Sequence, residues 1–228
     1  MTAGRLALAS NVLPLCSDVV TVAGPPNHRG SDAPCWCPDP GRRRNRSSAV
    51  IGWANRGERP VVETPWFRLN LAEVELPGGP RGDHYVLRLP PVVLAAVLDD
   101  ADRVLLLWRH RFIPGSDGWE LPSGIADPAE DLAAAAAREA LEESGWEPVA
   151  PRPLIRPESA SGLADSVNHV YWTGRATHRG DPVAGFEAER IEWVPLEQAP
   201  GLIAGGTVPS AVTATVLMLL HHRRPAGG

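Results

Sequence analysis

Arg138, Glu139, Glu142 and Glu143 stand within two helical turns of one another in the stretch Gly124 to Trp146, GIADPAEDLAAAAAREALEESGW. On a helix the three glutamates crowd onto an arc of about 100°, and like charges at such spacings weaken an isolated helix by roughly 0.2–0.5 kcal/mol per pair. A solvated acidic face is the plainest account of that pattern. The other is an incomplete site. Carboxylates that repel one another become favourable neighbours around a hard divalent cation, because Mg²⁺ takes carboxylate oxygens and shares its remaining positions with water and substrate phosphates. Ala133, Ala137, Ala140 and Leu141 fall on the opposite half, a small apolar surface suited to close packing against a sheet.

The spacing of Gly124, Glu130, Arg138-Glu139, Ala140, Glu142-Glu143, Gly145 and Trp146 resembles the signature of the Nudix hydrolase family. In that signature a Gly is followed after five residues by Glu, after seven more by Arg-Glu, then an apolar residue, any residue, Glu-Glu, any residue, Gly and an apolar residue. Such a match arises by chance on the order of once in 10⁸ start positions at ordinary residue usage. Ala140 is smaller than the aliphatic residue usual at its place. The resemblance implies Glu139 and Glu143 as principal metal ligands, with Glu142 assisting or binding a further ion. It implies that Arg138 and Glu130 hold those acids through charge-assisted hydrogen bonds. Gly124 and Gly145 would mark the loop and the helix end, where a residue without Cβ takes a positive φ. The implied activity is Mg²⁺- or Mn²⁺-dependent cleavage of a nucleoside diphosphate linked to another group, by attack of water on phosphorus.

Leu106-Leu-Trp-Arg-His-Arg-Phe112 and Trp119-Glu-Leu-Pro-Ser-Gly124 are similar to the approach to this signature in the ADP-ribose and nucleotide-sugar pyrophosphatase branch. On that likeness Glu120 binds metal or substrate, Ser123 offers its backbone carbonyl to the metal, and Arg109 and Arg111 meet substrate phosphates. Glu187, six residues before Trp193, matches an acid that serves as general base near the metals; Glu189 is the other choice. The branch carries a Pro-Gly pair in a loop where this chain has Ser161-Gly162. Substrates outside the branch therefore stay open: nucleoside triphosphates, or prenyl and coenzyme A diphosphates. A Nudix-fold binding regulator without turnover is the reading of another class. It would carry a damaged signature or a DNA-reading domain, and the sequence shows neither.

The elements that must carry these residues follow from periodicity. Phe67, Leu69 and Leu71 alternate with polar or small residues, Pro77-Gly-Gly-Pro80 marks a turn, and His84 to Leu89 returns, which predicts a β-hairpin. Val92–Leu98 and Val104–Trp108 are apolar throughout, as central strands buried on both faces would be. Val167–Trp172 and Ile191–Val194 read as further strands, and Val208–His222 as a C-terminal helix covering one face. The resulting order predicts an α/β fold of the α+β sandwich kind, with a mixed central sheet between helices and an N-terminal β-hairpin. Trp66 and Trp119 either stack on a base or fill the core.

Residues 24–60 are dense in Pro, Gly, Ser and Arg without either period, so order is expected to begin near Val61. This divides the chain into an N-terminal extension, 1–58, and a catalytic domain, 59–224. Cys16, Cys35 and Cys37 all lie in the extension, which leaves the domain without thiolate chemistry; Cys35-Trp-Cys37 has the wrong spacing for a paired-cysteine zinc knuckle. The 22 cationic residues are all arginine, and the formal charge of −5 argues against nucleic acid as a partner. The absence of a long apolar run or a clean signal peptide makes a cytoplasmic protein the expectation. Related pyrophosphatases pair through N-terminal strands, and Pro65 to Pro90 could form a homodimer in the same way.

Overall fold

The computed structural model describes residues 52–77, 79–184 and 187–223. The cysteines and the Arg run at 42–46 lie outside the described residues, as does most of the predicted extension. In chain order the strands are β1 (Ala54–Glu63), β2 (Arg68–Glu75), β3 (Arg81–Arg88), β4 (Val92–Val97), β5 (Arg103–Arg111), β6 (Ser116–Glu120) and β7 (Ser123–Ile125). Helix α1 (Leu132–Ser144) leads to β8 (Trp146–Pro148), β9 (Arg152–Ile155), β10 (Asn168–Thr173), β11 (Ala176–His178) and β12 (Arg190–Pro195). A short helix α2 (Ala199–Ala204) and helix α3 (Ala211–Arg223) follow.

The predicted hairpin is β2 and β3, whose turn closes through Leu76 N to Pro80 O and Gly79 N to Leu76 O. It gains a third strand that the apolar pattern did not announce: β1 pairs with β2, begins at Ala54 rather than near Val61, and runs across the expected boundary at 58/59. Its ladder shifts register around Asn55–Gly57 and Pro60–Val62, as a strand holding a Pro without N–H must. What fastens β1 is polar. Glu58 accepts from Asn55 Nδ2 at 2.6 Å, Asn70 Nδ2 at 2.8 Å and the Arg88 guanidinium, so no hydrophobic alternation marks it.

The expected central sheet is two sheets. One is mixed, in the order β7-β4-β10-β9, with β4 and β10 parallel; the other is antiparallel, β12-β5-β6, and a bridge between Leu98 and Val104 joins them. Alternation along the strands divides the core. Val93, Ala95, Val97 and Leu105 pack with Ala135, Ala136 and Ala140 of α1. Leu94, Ala96, Val104 and Leu106 pack with Val212, Val216, Leu217 and Leu220 of α3. Both faces of β4 and the inner part of β5 are therefore covered, which is why those runs are apolar without a break. The fold is the mixed α+β sandwich that the sequence order predicts.

Helix α1 starts at an N-cap, Asp131, whose side chain accepts from Ala133 N and Ala134 N at 3.0 and 2.9 Å. It stops at Gly145, φ 76°, whose N–H closes on Leu141 O at 2.8 Å. The packed face differs from the expected one. Ala135, Ala136, Ala140, Ser144 and also Glu143 are buried, whereas Ala133, Ala137 and Leu141 are only partly covered. Alanine occupies every position from 133 to 137, so composition could not choose the stripe; an internal partner for Glu143 does.

Candidate active site

Strand alternation places Leu105, Leu107, Arg109 and Arg111 of β5 on the side facing α1, and Glu120 of β6 pairs opposite Leu107 on the same side. The basic end of β5, the end of β6 and the acidic face of α1 thus converge, with β7 closing one edge. Each acid meets an arginine or a backbone N–H.

Glu143 is the most buried, 3% exposed, against Arg109, 2% exposed. Arg109 Nη1 donates to Glu143 Oε1 at 3.0 Å, Nη2 stands 3.0 Å from Oε2 without its N–H aligned on it, and Ser123 N donates to Oε2 at 2.9 Å. Arg109 Nε has no hydrogen-bond partner among the described residues and lies 3.9 Å from Glu120 Oε2. Arg109 therefore stands behind Glu143 as its internal counter-charge. Arg111, half exposed, grips Glu120 with two nitrogens, Nε at 3.1 Å from both oxygens and Nη2 at 2.5 Å.

Arg138 lies across the other acids. Nε and Nη2 donate to the two oxygens of Glu130, each at 3.0 Å, and Nη1 reaches Glu139 at 2.8 Å and Glu142 at 3.3 Å. The forked, planar guanidinium suits this bidentate grip. Gly124 does not take a positive φ; what it requires is the missing side chain, because a Cβ there would stand 2.1–2.3 Å from the Glu139 carboxyl group. Glu139 thus rests against bare backbone. Gly145 does take the left-handed conformation, and a Cβ on it would meet Gly180 O at 2.0 Å.

The electrostatics follow. Burial pushes the Glu139 carboxyl up, Arg138 draws it back, and the charges of Glu142 and Glu187 leave it above the usual carboxylate range. Burial likewise pushes Glu143 up, outweighing Arg109 and the Ser123 N–H, with Glu187 adding to the rise. Arg138 holds Glu130 below its ordinary value. Glu187 is exposed and its charge reaches both Glu139 and Glu143; its segment is tied to α1 by Ala184 N to Glu142 O at 2.9 Å. The site carries more negative charge than its arginines balance. Its hard oxygens and acidic excess fit a hard divalent cation. Among the described residues no three acids already converge on one point, and Arg138 and Arg109 occupy carboxylate oxygens that a cation would take.

The structure thus gathers Glu120, Ser123, Gly124, Glu130, Arg138, Glu139, Glu142, Glu143, Arg109 and Arg111 around one site and brings the charge of Glu187 to it. Trp119 belongs to the core, whereas Trp66 is exposed. The Ser161-Gly162 loop docks on β3, with Leu87 N donating to Leu163 O and Arg88 to Asp165. Sequence reading missed the burial of Arg109 and the Ser123 N–H as a donor. The period-two placement of Arg109 beside Leu105 and Leu107 was the available signal for the first.

Comparison with known proteins supplies the family. Residues 88–212 match the Nudix domain, and residues 53–87 match the nucleoside diphosphate sugar hydrolase N-terminal domain, which takes in β1, β2 and most of β3. The chain is 39% identical over 166 residues to a CMP-5'-(N-acetyl-N-hydroxy-3-aminopropyl)phosphonate hydrolase of Streptomyces rubellomurinus, covering 73% of this chain and 81% of that protein. It is 27% identical over 158 residues to an ADP-ribose pyrophosphatase of Mycobacterium tuberculosis, covering 68% and 76%. A crystal structure of an ADP compounds hydrolase superposes with a TM-score of 0.67 at 19% identity, over 77% of this chain and 96% of that one, which speaks for the fold. With the full set of signature acids braced at the junction of β5, β7 and α1, the chain belongs to the Nudix family and is a pyrophosphohydrolase acting on diphosphate linkages.

Proposed function

We propose that the enzyme is a Mg²⁺- or Mn²⁺-dependent hydrolase that cleaves the bond between a nucleoside monophosphate and a second phosphorus-bearing group, as in ADP-ribose or a nucleotide sugar. The observation that carries this reading is the seating of Glu139 in the space left by Gly124, beside a Glu143 fixed by Arg109 and Ser123 N. Glu139 and Glu143 are the principal metal ligands, with Glu142 and the Ser123 carbonyl assisting. A bound divalent cation would neutralise charge on the diphosphate oxygens and acidify a water. Arg138, braced by Glu130, keeps Glu139 and Glu142 in register, and Arg109 does the same for Glu143. Arg111, released from or shared with Glu120, offers its fork to a substrate phosphate. Glu187 accepts the proton of the attacking water, whose oxygen bonds to phosphorus as the anhydride bond breaks toward the other phosphorus group.

The likeness to the Streptomyces enzyme favours a second substrate of the same chemistry, a CMP-linked phosphonate, since it too joins a nucleoside monophosphate to an acidic phosphorus group. Pairing of two copies through the N-terminal sheet and a cytoplasmic location belong to the same proposal. The test is product analysis on ADP-ribose, a nucleotide sugar, a CMP-linked phosphonate, ATP and a prenyl diphosphate, with Mg²⁺, with Mn²⁺ and with chelator. Metal-dependent release of a nucleoside monophosphate from one of the first three is expected, and Glu139→Gln should lose it by roughly 10²-fold or more with an unchanged melting temperature. Parent-like turnover by that variant, or in chelator, would overturn the metal assignment.

A further inference from the structure

Arg190 opens β12, three residues after Glu187, and its guanidinium carbon lies 4.7 Å from the ring centre of Trp108 and 4.9 Å from that of Trp119. The two indoles meet edge to face at 5.2 Å. All three side chains occupy one row across β12, β5 and β6, because Arg190 pairs with Trp108 and Trp108 with Trp119 in adjoining ladders. Alternation turns the next residues, Arg109 and Glu120, to the opposite face, where the acids lie. Arg190 is thus on the back of the sheet that carries the site.

The chain just before it is tied to the site side. Glu189 N donates to Trp108 O at 2.8 Å, Glu187 N to Ala184 O at 2.9 Å, and Ala184 N to Glu142 O at 2.9 Å. The ion pair of Arg190 with Glu192, at 3.3 Å with both side chains about half exposed, contributes little to fixing it. The two indole faces do more, since a planar guanidinium lies well on an aromatic face and is less tightly hydrated than an ammonium.

We propose that Arg190 is a positioning residue for Glu187: stacked on Trp108 and beside Trp119, it fixes the first residue of β12 and so sets how Glu187 is presented to Glu139 and Glu143. The proposal rests on the reading of Glu187 as proton acceptor. It gives the two tryptophans a task beyond packing. Each precedes a charged residue of the site, and together they hold the strand that returns from Glu187.

Arg190→Met keeps the apolar stem and removes the cation, Arg190→Lys keeps the charge without the plane, and Glu187→Gln removes the base. Steady-state kinetics with Mg²⁺ on ADP-ribose and on a CMP-linked phosphonate, and hydrogen exchange at the backbone amides, are measured for each and for the Arg190→Met/Glu187→Gln pair. Arg190→Met should lower kcat about three- to tenfold with KM unchanged. Arg190→Lys should fall between it and the parent. The pair should be no slower than Glu187→Gln alone, and the amides of Glu187, Glu189 and Arg190 should exchange faster in Arg190→Met while those of α1 do not. Unchanged exchange at those amides, or losses that multiply in the pair, overturns the proposal. A Glu187→Gln variant as fast as the parent overturns the assignment of the base, and with it the catalytic meaning of the hold, whereas the exchange result still judges the hold itself.

Discussion

Glu143 and Arg109 form a pair in which removal of one charge strands the other inside the protein. Glu143→Gln is therefore a poor way to test catalysis alone, since it leaves Arg109 buried beside a neutral amide; Arg109→Met, which leaves a buried carboxylate, should cost roughly 3 kcal/mol in urea denaturation, and Glu143→Gln added to it should recover a good part of that loss. Additive losses would show that the two side chains do not act as a pair. Gly124 tells the opposite story. Its role is to leave room, so Gly124→Ala should displace the Glu139 carboxyl group and reduce kcat by roughly 10²-fold, while the melting temperature moves little because the displaced atoms end a flexible side chain. Turnover at the parent rate would mean that Glu139 has no need of that seat.

At the scale of elements, α1 is a helix rich in alanine delimited by two local devices, the Asp131 side-chain cap and the left-handed Gly145. Asp131→Ala should lower stability by about 1 kcal/mol in urea denaturation and fray the first turn, leaving the acids a turn and more further along in place. Activity falling in step with a global loss of helix would contradict this. The acids, their spacing and the helix were legible in the sequence because they lie next to one another along the chain. The arginine that faces Glu143 was not, because it arrives from β5 and only the sheet register brings it there. The same holds for β1, whose attachment through Glu58 leaves no periodic trace, and for the short strands β7, β8 and β11, each too brief to show a period.

At the scale of the whole molecule, the N-terminal sheet is fastened to the rest through Arg88, which bridges Glu58 of β1 and Asp165 of the loop before β10. Burial pushes Glu58 up, but Arg88, Asn70 and Asn55 outweigh it and leave its carboxyl below the ordinary range. A depressed carboxylate contributes stability above its unfolded value and loses it as pH falls through the folded one. The melting temperature should therefore drop as pH goes from the ordinary carboxylate range downward, and Glu58→Gln should flatten that slope while lying below the parent at neutral pH. A slope unchanged by the substitution would move the effect to other acids.

The parallel ladder of β4 with β10 has one more consequence. Between Val97 and Asn168 the chain makes β5, β6, β7, α1, β8 and β9, so nearly every group of the site is threaded through a single excursion whose two ends are zipped together. Closing a loop of that length costs about 4 kcal/mol in chain entropy, and pairings so distant in sequence form slowly. The acidic helix can coil early, on local contacts. Its arginine and its glycine seat come to it from β5 and β7, which are set by sheet pairing rather than by the helix itself, so on refolding the return of hydrolysis should trail the return of helix.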